Sequence, residues 1–135
     1  LMEVKRMIGS NAFNYINVLN KAADASWKRN EVIANNIANV DTPGYKRKDV
    51  HFESLLMTSL TGDNSLDKRV ANVRMDNLNA QVYTDNANLS YRLDGNNVDI
   101  DTETSNLAEN QIRYYALMDS MQQEFNRLKM VLQGR

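Results

Sequence analysis

Apolar residues recur in alternating steps of four and three at both ends of the chain, and no other feature narrows its fold as far. The N-terminal row runs Ala12, Ile16, Leu19, Ala23, Ser26, Asn30, Ile33, Ile37 and Val40. The C-terminal row runs Leu107, Gln111, Tyr114, Met118, Met121, Phe125, Leu128 and Leu132. A 3.5-residue period holds one stripe of a helix against a partner helix. The spacing predicts long amphipathic helices over roughly residues 11–38 and 101–133, each long enough for several heptads. The expected fold is mainly α: a coiled-coil-like pair of end helices and a small irregular, partly β centre. The divisions are 1–40, 41–100 and 101–135.

Ser26, Asn30 and Gln111 interrupt the two rows. A polar residue on such a stripe costs stability and can fix register or oligomer state. The first helix also carries Asn11, Asn14, Asn17, Asn20, Asn30, Asn35, Asn36 and Asn39. Asparagine is a poor interior helix former, because its amide competes for backbone groups. Taken singly, each of these amides is expected to face water. Ordering the backbone costs roughly 1–2 kcal/mol per residue. A narrow stripe offsets that poorly, so both ends are expected to be mobile in the dilute monomer and to fold on assembly.

The first helix must stop near Asp41-Thr42-Pro43-Gly44-Tyr45. Proline lacks an amide hydrogen and pushes the preceding residue towards extended geometry. Proline followed by glycine is the demand of a type II turn, with positive φ at Gly44. Lys46 to His51 then reads as extended, Phe52 to Leu60 as a short amphipathic helix, and Thr61 to Leu66 as a loop. Val70, Val73, Val82, Tyr83, Tyr91 and Leu93 supply two or three short strands in this reading. Asp94-Gly95-Asn96 is a turn. Asp99 or Asp101 caps the last helix, whose first turn holds Asp101 and Glu103 where the helix dipole favours negative charge.

Charge is unevenly placed. Residues 1–48 carry a net +4, residues 49–110 a net −7 and residues 111–135 a net +2. Such blocks suggest two ends in one environment and a centre in another, or a solvated surface whose charges happen to cluster. A formal net charge of −1 gives little support for a nucleic-acid partner.

No catalytic, cofactor or metal site is expected. The chain has no cysteine and a single histidine, His51, which makes a transition-metal site improbable. Asp94, Asp99, Asp101 and Glu103 do not match the twelve-residue calcium loop, and helix capping accounts for them better. Gly-rich phosphate loops and hydrolase or zinc-protease signatures are absent. Lys46-Arg47-Lys48 is a short basic patch that reads as a solvated turn flank. No apolar run is long enough to span a bilayer. The first ten residues lack the apolar core of a cleaved signal peptide.

The stretch Ala34-Asn35-Asn36-Ile37-Ala38-Asn39-Val40-Asp41-Thr42-Pro43-Gly44-Tyr45-Lys46 resembles the N-terminal signature of bacterial flagellar rod and hook proteins. Asp94 to Glu103, continued by Ile112-Arg113-Tyr114-Tyr115, is similar to the start of the last helix in the B-type proximal rod subunits. Tyr114-Tyr115-Ala116-Leu117 stands where C-type subunits usually have Tyr-Glu-Ala-Asn, which favours the B type. The resemblance covers residues 10–56 and 91–134.

It implies a structural subunit that assembles helically into the proximal rod and transmits motor torque to the hook. Its partners would be other copies of itself, other proximal rod proteins, the flagellar export apparatus and the membrane-ring base, with no direct membrane insertion. Export would proceed across the inner membrane without a cleaved signal. Asn36, Ile37, Ala38, Asn39, Thr42, Pro43, Gly44 and Tyr45 would form the family motif and turn. Ile16, Leu19, Ile33, Ile37, Tyr114, Met118, Met121, Phe125 and Leu128 would be assembly contacts. The alternatives are a soluble helical adaptor or chaperone that grips a partner helix with the same heptads, and an envelope enzyme, for which no constellation is visible.

Overall fold

The computed structural model describes residues 2–60, 62, 65–86 and 92–134. Helix α1 spans Met2–Ala38 and ends where the sequence requires it. The amide of Asn39 still reaches Asn35 O at 3.1 Å, and the chain then turns. Tyr45 N donates to Thr42 O at 3.2 Å across Pro43 and Gly44, and Gly44 has φ 73°. This is the anticipated type II turn, and only its third position needs a residue free to take positive φ.

The centre follows as strand β1 (Lys48–His51), helix α2 (Glu53–Ser59), helix α3 (Leu66–Ala71), a 3₁₀ turn (Met75–Asn77) and strand β2 (Gln81–Thr84). The strands form a two-stranded antiparallel sheet with Asp49 opposite Tyr83 and Val50 opposite Val82. Val82 and Tyr83 are strand residues as expected. Val70 is not, since it lies in α3, and Val73 lies in irregular chain beyond it. Both point into the core, and a single helical turn shows too little periodicity to be told from a strand. Leu66 opens α3 and is not loop. Leu93 sits in a turn. Tyr91 and part of the Thr61–Leu66 loop lie outside the described residues.

Helix α4 spans Ile100–Leu132. Asp99 caps it, its carboxylate accepting from the amides of Asp101 at 3.0 Å and Thr102 at 3.4 Å. Past its end Gly134 takes φ 71°, the usual left-handed stop.

The two long helices pack antiparallel, and α1 is buried on two sides. One side faces α4. The other carries Val18 and Ala25 into a cluster with Phe52, Val70, Val73 and Leu78, bordered by Tyr15, Ala22, Leu55, Leu56, Leu60, Met75 and Ala80. The centre is thus a small apolar cap on the far flank of α1, and α4 contributes nothing to that cluster.

Candidate assembly surface

The two stretches that carry the family resemblance meet in space. Asn36, near the end of α1, is fully buried and uses its whole amide. Its Nδ2 donates to Lys48 O at 2.8 Å and Glu103 Oε2 at 3.1 Å. Its Oδ1 accepts from Lys48 N at 2.9 Å and Tyr45 Oη at 3.1 Å. Only a primary amide offers two donors and two acceptors in this shape. Asn36 is therefore an exception to the water-facing expectation for the α1 asparagines, as is half-buried Asn30, whose Oδ1 accepts from Asn110 Nδ2 at 2.9 Å. Asn36 stands in for a missing neighbour strand on the outer edge of β1.

Asn96, also fully buried, closes the other half of the junction. Its Nδ2 lies within 3.0 Å of Asn39 O, Val40 O and Thr42 O, in the chain that follows the end of α1. Its Oδ1 accepts from Val98 N at 2.8 Å. Gly44 N donates to Asp94 O at 2.7 Å, and Lys46 Nζ donates to Gly95 O. Thr42 Oγ1 donates to Asn39 Oδ1 at 3.0 Å. Ile37 is half-buried, while Ala38, Thr42, Pro43 and Gly44 are exposed. The motif therefore welds the end of α1 to the start of α4.

Arg47 sits at the centre of this weld and is not a solvated turn flank. Its Nε donates to Glu103 Oε1 at 2.6 Å, its Nη1 to Asp85 Oδ2 at 2.7 Å, and its Nη2 lies 3.5 Å from Asp49 Oδ2. Glu103 is fully buried and the Arg47 side chain is 9 % exposed. Burial works against the charge on Arg47. The hydrogen bonds to Glu103 and Asp85 outweigh it and push its pKa up. Glu103 thus does more than complement the helix dipole. Arg47 lies 38 and 56 residues from these two acids, so sequence spacing gives no sign of the network.

The charge blocks find their use here. Arg29 of α1 grips Glu53 with two hydrogen bonds of 2.7 Å and lies 3.5 Å from Asp49. Arg113 of α4 reaches the same Glu53 at 3.0 Å and Glu109 at 3.2 Å. Basic ends clamp an acidic middle within one chain.

Further out, α4 presents two rows. Glu103, Leu107, Asn110, Tyr114, Leu117, Met121, Glu124, Leu128 and Val131, in steps of four and three, are all buried or half-buried. Gln111, Tyr115, Met118, Gln122, Phe125, Lys129 and Leu132 follow the same steps and are all exposed. The stripe expected on α4 thus divides. Leu107, Tyr114, Met121 and Leu128 lie on the inner row, and Gln111, Met118, Phe125 and Leu132 lie on the outer. Both rows carry apolar residues at the same period, so periodicity alone could not separate them. The α1 positions fall together: Ile16 and Ile33 are buried, Leu19 and Ile37 half-buried. One residue further round α1, Phe13, Asn17, Asn20, Asp24, Trp27, Glu31 and Ala34 form an exposed row. The Trp27 and Tyr114 rings lie 6.0 Å apart, and Tyr114 and Tyr115 6.3 Å apart.

Nothing in this arrangement suggests chemistry. Among the described residues no cluster of three or more His, Cys, Asp or Glu could hold a metal, and no buried side-chain polar atom lacks a partner. His51 stacks on Tyr83 with ring centroids 3.8 Å apart. The cleft of about 780 Å³ beside the start of α4 is lined by groups such as Arg47, Asp85 and Asn97 that bond one another.

The pattern of the family described as Flagella basal body rod protein matches residues 16–46. The flagellar basal body rod protein FlgB of Bacillus subtilis (strain 168) is 38% identical over 119 residues, covering 87% of this chain and 92% of that relative. FlgB of Aquifex aeolicus (strain VF5) is 45% identical over 40 residues, 30% of this chain and 32% of that relative. The chain belongs to the flagellar basal body rod protein family, as a structural rod subunit of the B type and not an enzyme.

Proposed function

We propose that this chain enters the proximal rod by burying its exposed helical rows against neighbouring subunits, so that torque passes through helix-to-helix contacts. The observation that carries the reading is the outer row of α4: Tyr115 is 71 %, Met118 41 %, Phe125 47 % and Leu132 79 % exposed in the single chain. Large apolar side chains that recur along one exposed helical row of a monomer mark an interaction site. The contact is heterologous: a row on one copy meets a different face of the next, and the assembly propagates without closing. Ile16, Leu19, Ile33, Ile37, Tyr114, Met121 and Leu128 hold the hairpin, and Met118 and Phe125 meet the neighbour. The Thr42-Pro43-Gly44-Tyr45 turn leads the chain out of the tube wall into the cap.

Its partners in this reading are further copies of itself, other proximal rod proteins and the membrane-ring base, reached through the flagellar export apparatus. No helix among the described residues is long and apolar enough to cross a membrane, which fits an axial part that passes through the envelope inside the rod.

The test is Met118→Asp and Phe125→Asp. Both sites are open in the isolated chain, so each variant should fold and be exported, yet cells should lose motility. Normal swimming would remove the outer row from the assembly contact. Loss of export would place the defect in secretion.

A further inference from the structure

The inner and outer rows of α4 are one residue apart, and a rotation of about 100° exchanges them. Their apolar content does not decide between them: Leu107, Tyr114, Leu117, Met121, Leu128 and Val131 on one, Tyr115, Met118, Phe125 and Leu132 on the other. What differs is the buried polar content. Asn110 is 2 % exposed. Its Nδ2 donates to Ser26 O at 2.7 Å and Asn30 Oδ1 at 2.9 Å, and Ser26 Oγ donates to its Oδ1 at 3.0 Å. Glu103 lies one heptad earlier on the same row, held by Arg47 and Asn36.

We infer that Asn110 and Glu103 are positioning residues that select the rotation and register of α4 on α1, and so decide which apolar row the subunit presents outward. Rotating α4 by one residue takes both polar groups away from their partners. Sliding it by one heptad moves Glu103 about 10 Å along the axis, away from Arg47, and brings Asn110 to that guanidinium. Each alternative leaves a charge or an amide buried without its partner, a large penalty for a small displacement. A single buried asparagine fixes pairing in coiled coils in the same way, at some expense of stability. The use of the outer row rests on the assembly reading above. The lock itself does not.

The absence of cysteine makes the test clean. Asn110 lies against Ser26 and Asn30, so Leu117, one heptad on, lies against Leu19 and Ala23. Ala23→Cys is combined with Leu117→Cys to report the native setting, or with Met118→Cys to report the rotated one. Disulfide closure is timed on the isolated full chain under a mild oxidant. The 117 pair should close at least about tenfold faster than the 118 pair, and Asn110→Leu should shrink the ratio to about threefold or less. Ser26→Ala, a gentler change that keeps the fold, should give an intermediate ratio. A role confined to stability would slow or speed both pairs together and leave the ratio unmoved. An unchanged ratio in Asn110→Leu and Ser26→Ala overturns the inference, and so does no preference in the chain with its native Asn110. Neither result depends on rod assembly, so failure of the lock and failure of the assembly reading are distinguishable.

Discussion

Helices α1 and α4 are of similar length, 37 and 33 residues, and both carry the four-and-three period, yet they differ in what they bury. Among its described side chains, helix α1 buries mostly apolar residues, Ala12, Ile16, Val18, Ala23, Ala25, Val32 and Ile33 on two flanks, with Ser26 and Asn36 as polar exceptions. The buried residues of α4 are Glu103 and Asn110, both polar and both in its first third. Apolar burial supplies most of the favourable free energy but is indifferent to direction. Polar burial adds little net stability and is strict about geometry. So α1 is the helix on which the chain folds, and α4 is held by polar contacts near its start while its far half leaves much of its apolar surface exposed.

The largest expected effect tests the aiming. Glu103→Ala leaves the Arg47 guanidinium buried without its main partner and should cost about 3–5 kcal/mol in urea unfolding. Adding Arg47→Met should recover much of the loss, because an apolar pair avoids the stranded charge. A loss below about 1 kcal/mol for Glu103→Ala would mean that water reaches the site and that polar burial does not organise the junction.

Next is the contrast between the two helices. Ile33→Ala, at a site 1 % exposed on α1, should cost about 2–5 kcal/mol. Phe125→Ala on the outer row of α4 should change the isolated chain by no more than about 0.5 kcal/mol and still impair motility. Equal effects on stability would erase the distinction. Hydrogen exchange on a verified monomer sharpens it. Residues 15–36 of α1, covered by the central cap, should be protected, and residues 111–132 of α4 should exchange fast until rods form. Sequence composition predicts mobility at both ends. The second flank of α1 confines the expectation to α4. Strong protection throughout 111–132 in the monomer would make the pair a self-sufficient hairpin.

These elements also show what the sequence made legible. The stop after Ala38, the type II turn at Gly44, β1, α2, the Val82-Tyr83 strand and the Asp99 cap were all readable, because each rests on neighbours within a few residues. The phase of α4 was not. Period belongs to one helix, but phase depends on what the other offers at Ser26 and Asn30. The burial of Arg47 was hidden for a similar reason, since its partners come from the residue just after β2 and from α4. A clue was present in Asn110 and Glu103, one heptad apart, with Ser26 and Asn30 already noted as polar interruptions on α1.

The turn gives a smaller effect. A Cβ at Gly44 would meet nothing within 4 Å, so the penalty there comes from the conformation at φ 73° and not from crowding of that atom. Gly44→Val should cost about 1–3 kcal/mol, and Gly44→Ala less. Motility should fall further with Gly44→Val than with a change at exposed Asp41, because the turn fixes where α1 hands over to the cap. Equal stability and normal swimming would remove the positive φ from the mechanism.

The smallest effect concerns Glu53, which joins both helices through Arg29 and Arg113. The hydrogen bond from Arg29 is the main cause that holds its pKa below the ordinary 4.5. The unfolded chain therefore binds this proton at a higher pH than the folded chain does. The stabilisation is fully present above pH 4.5 and is lost as pH falls through the lower, folded value. The side chain is 54 % exposed, so solvent screens the pair and it is worth about 0.2–1 kcal/mol. Glu53→Gln resembles the protonated acid. Its deficit relative to the Glu53 chain should be visible at neutral pH, shrink as the solution is acidified below 4.5, and fall with added salt. Every other acid is common to the two chains, so its contribution cancels in the difference. A deficit that persisted unchanged in acid would mean that Glu53 acts through packing, and that the tie between α1 and α4 at this point is not ionic.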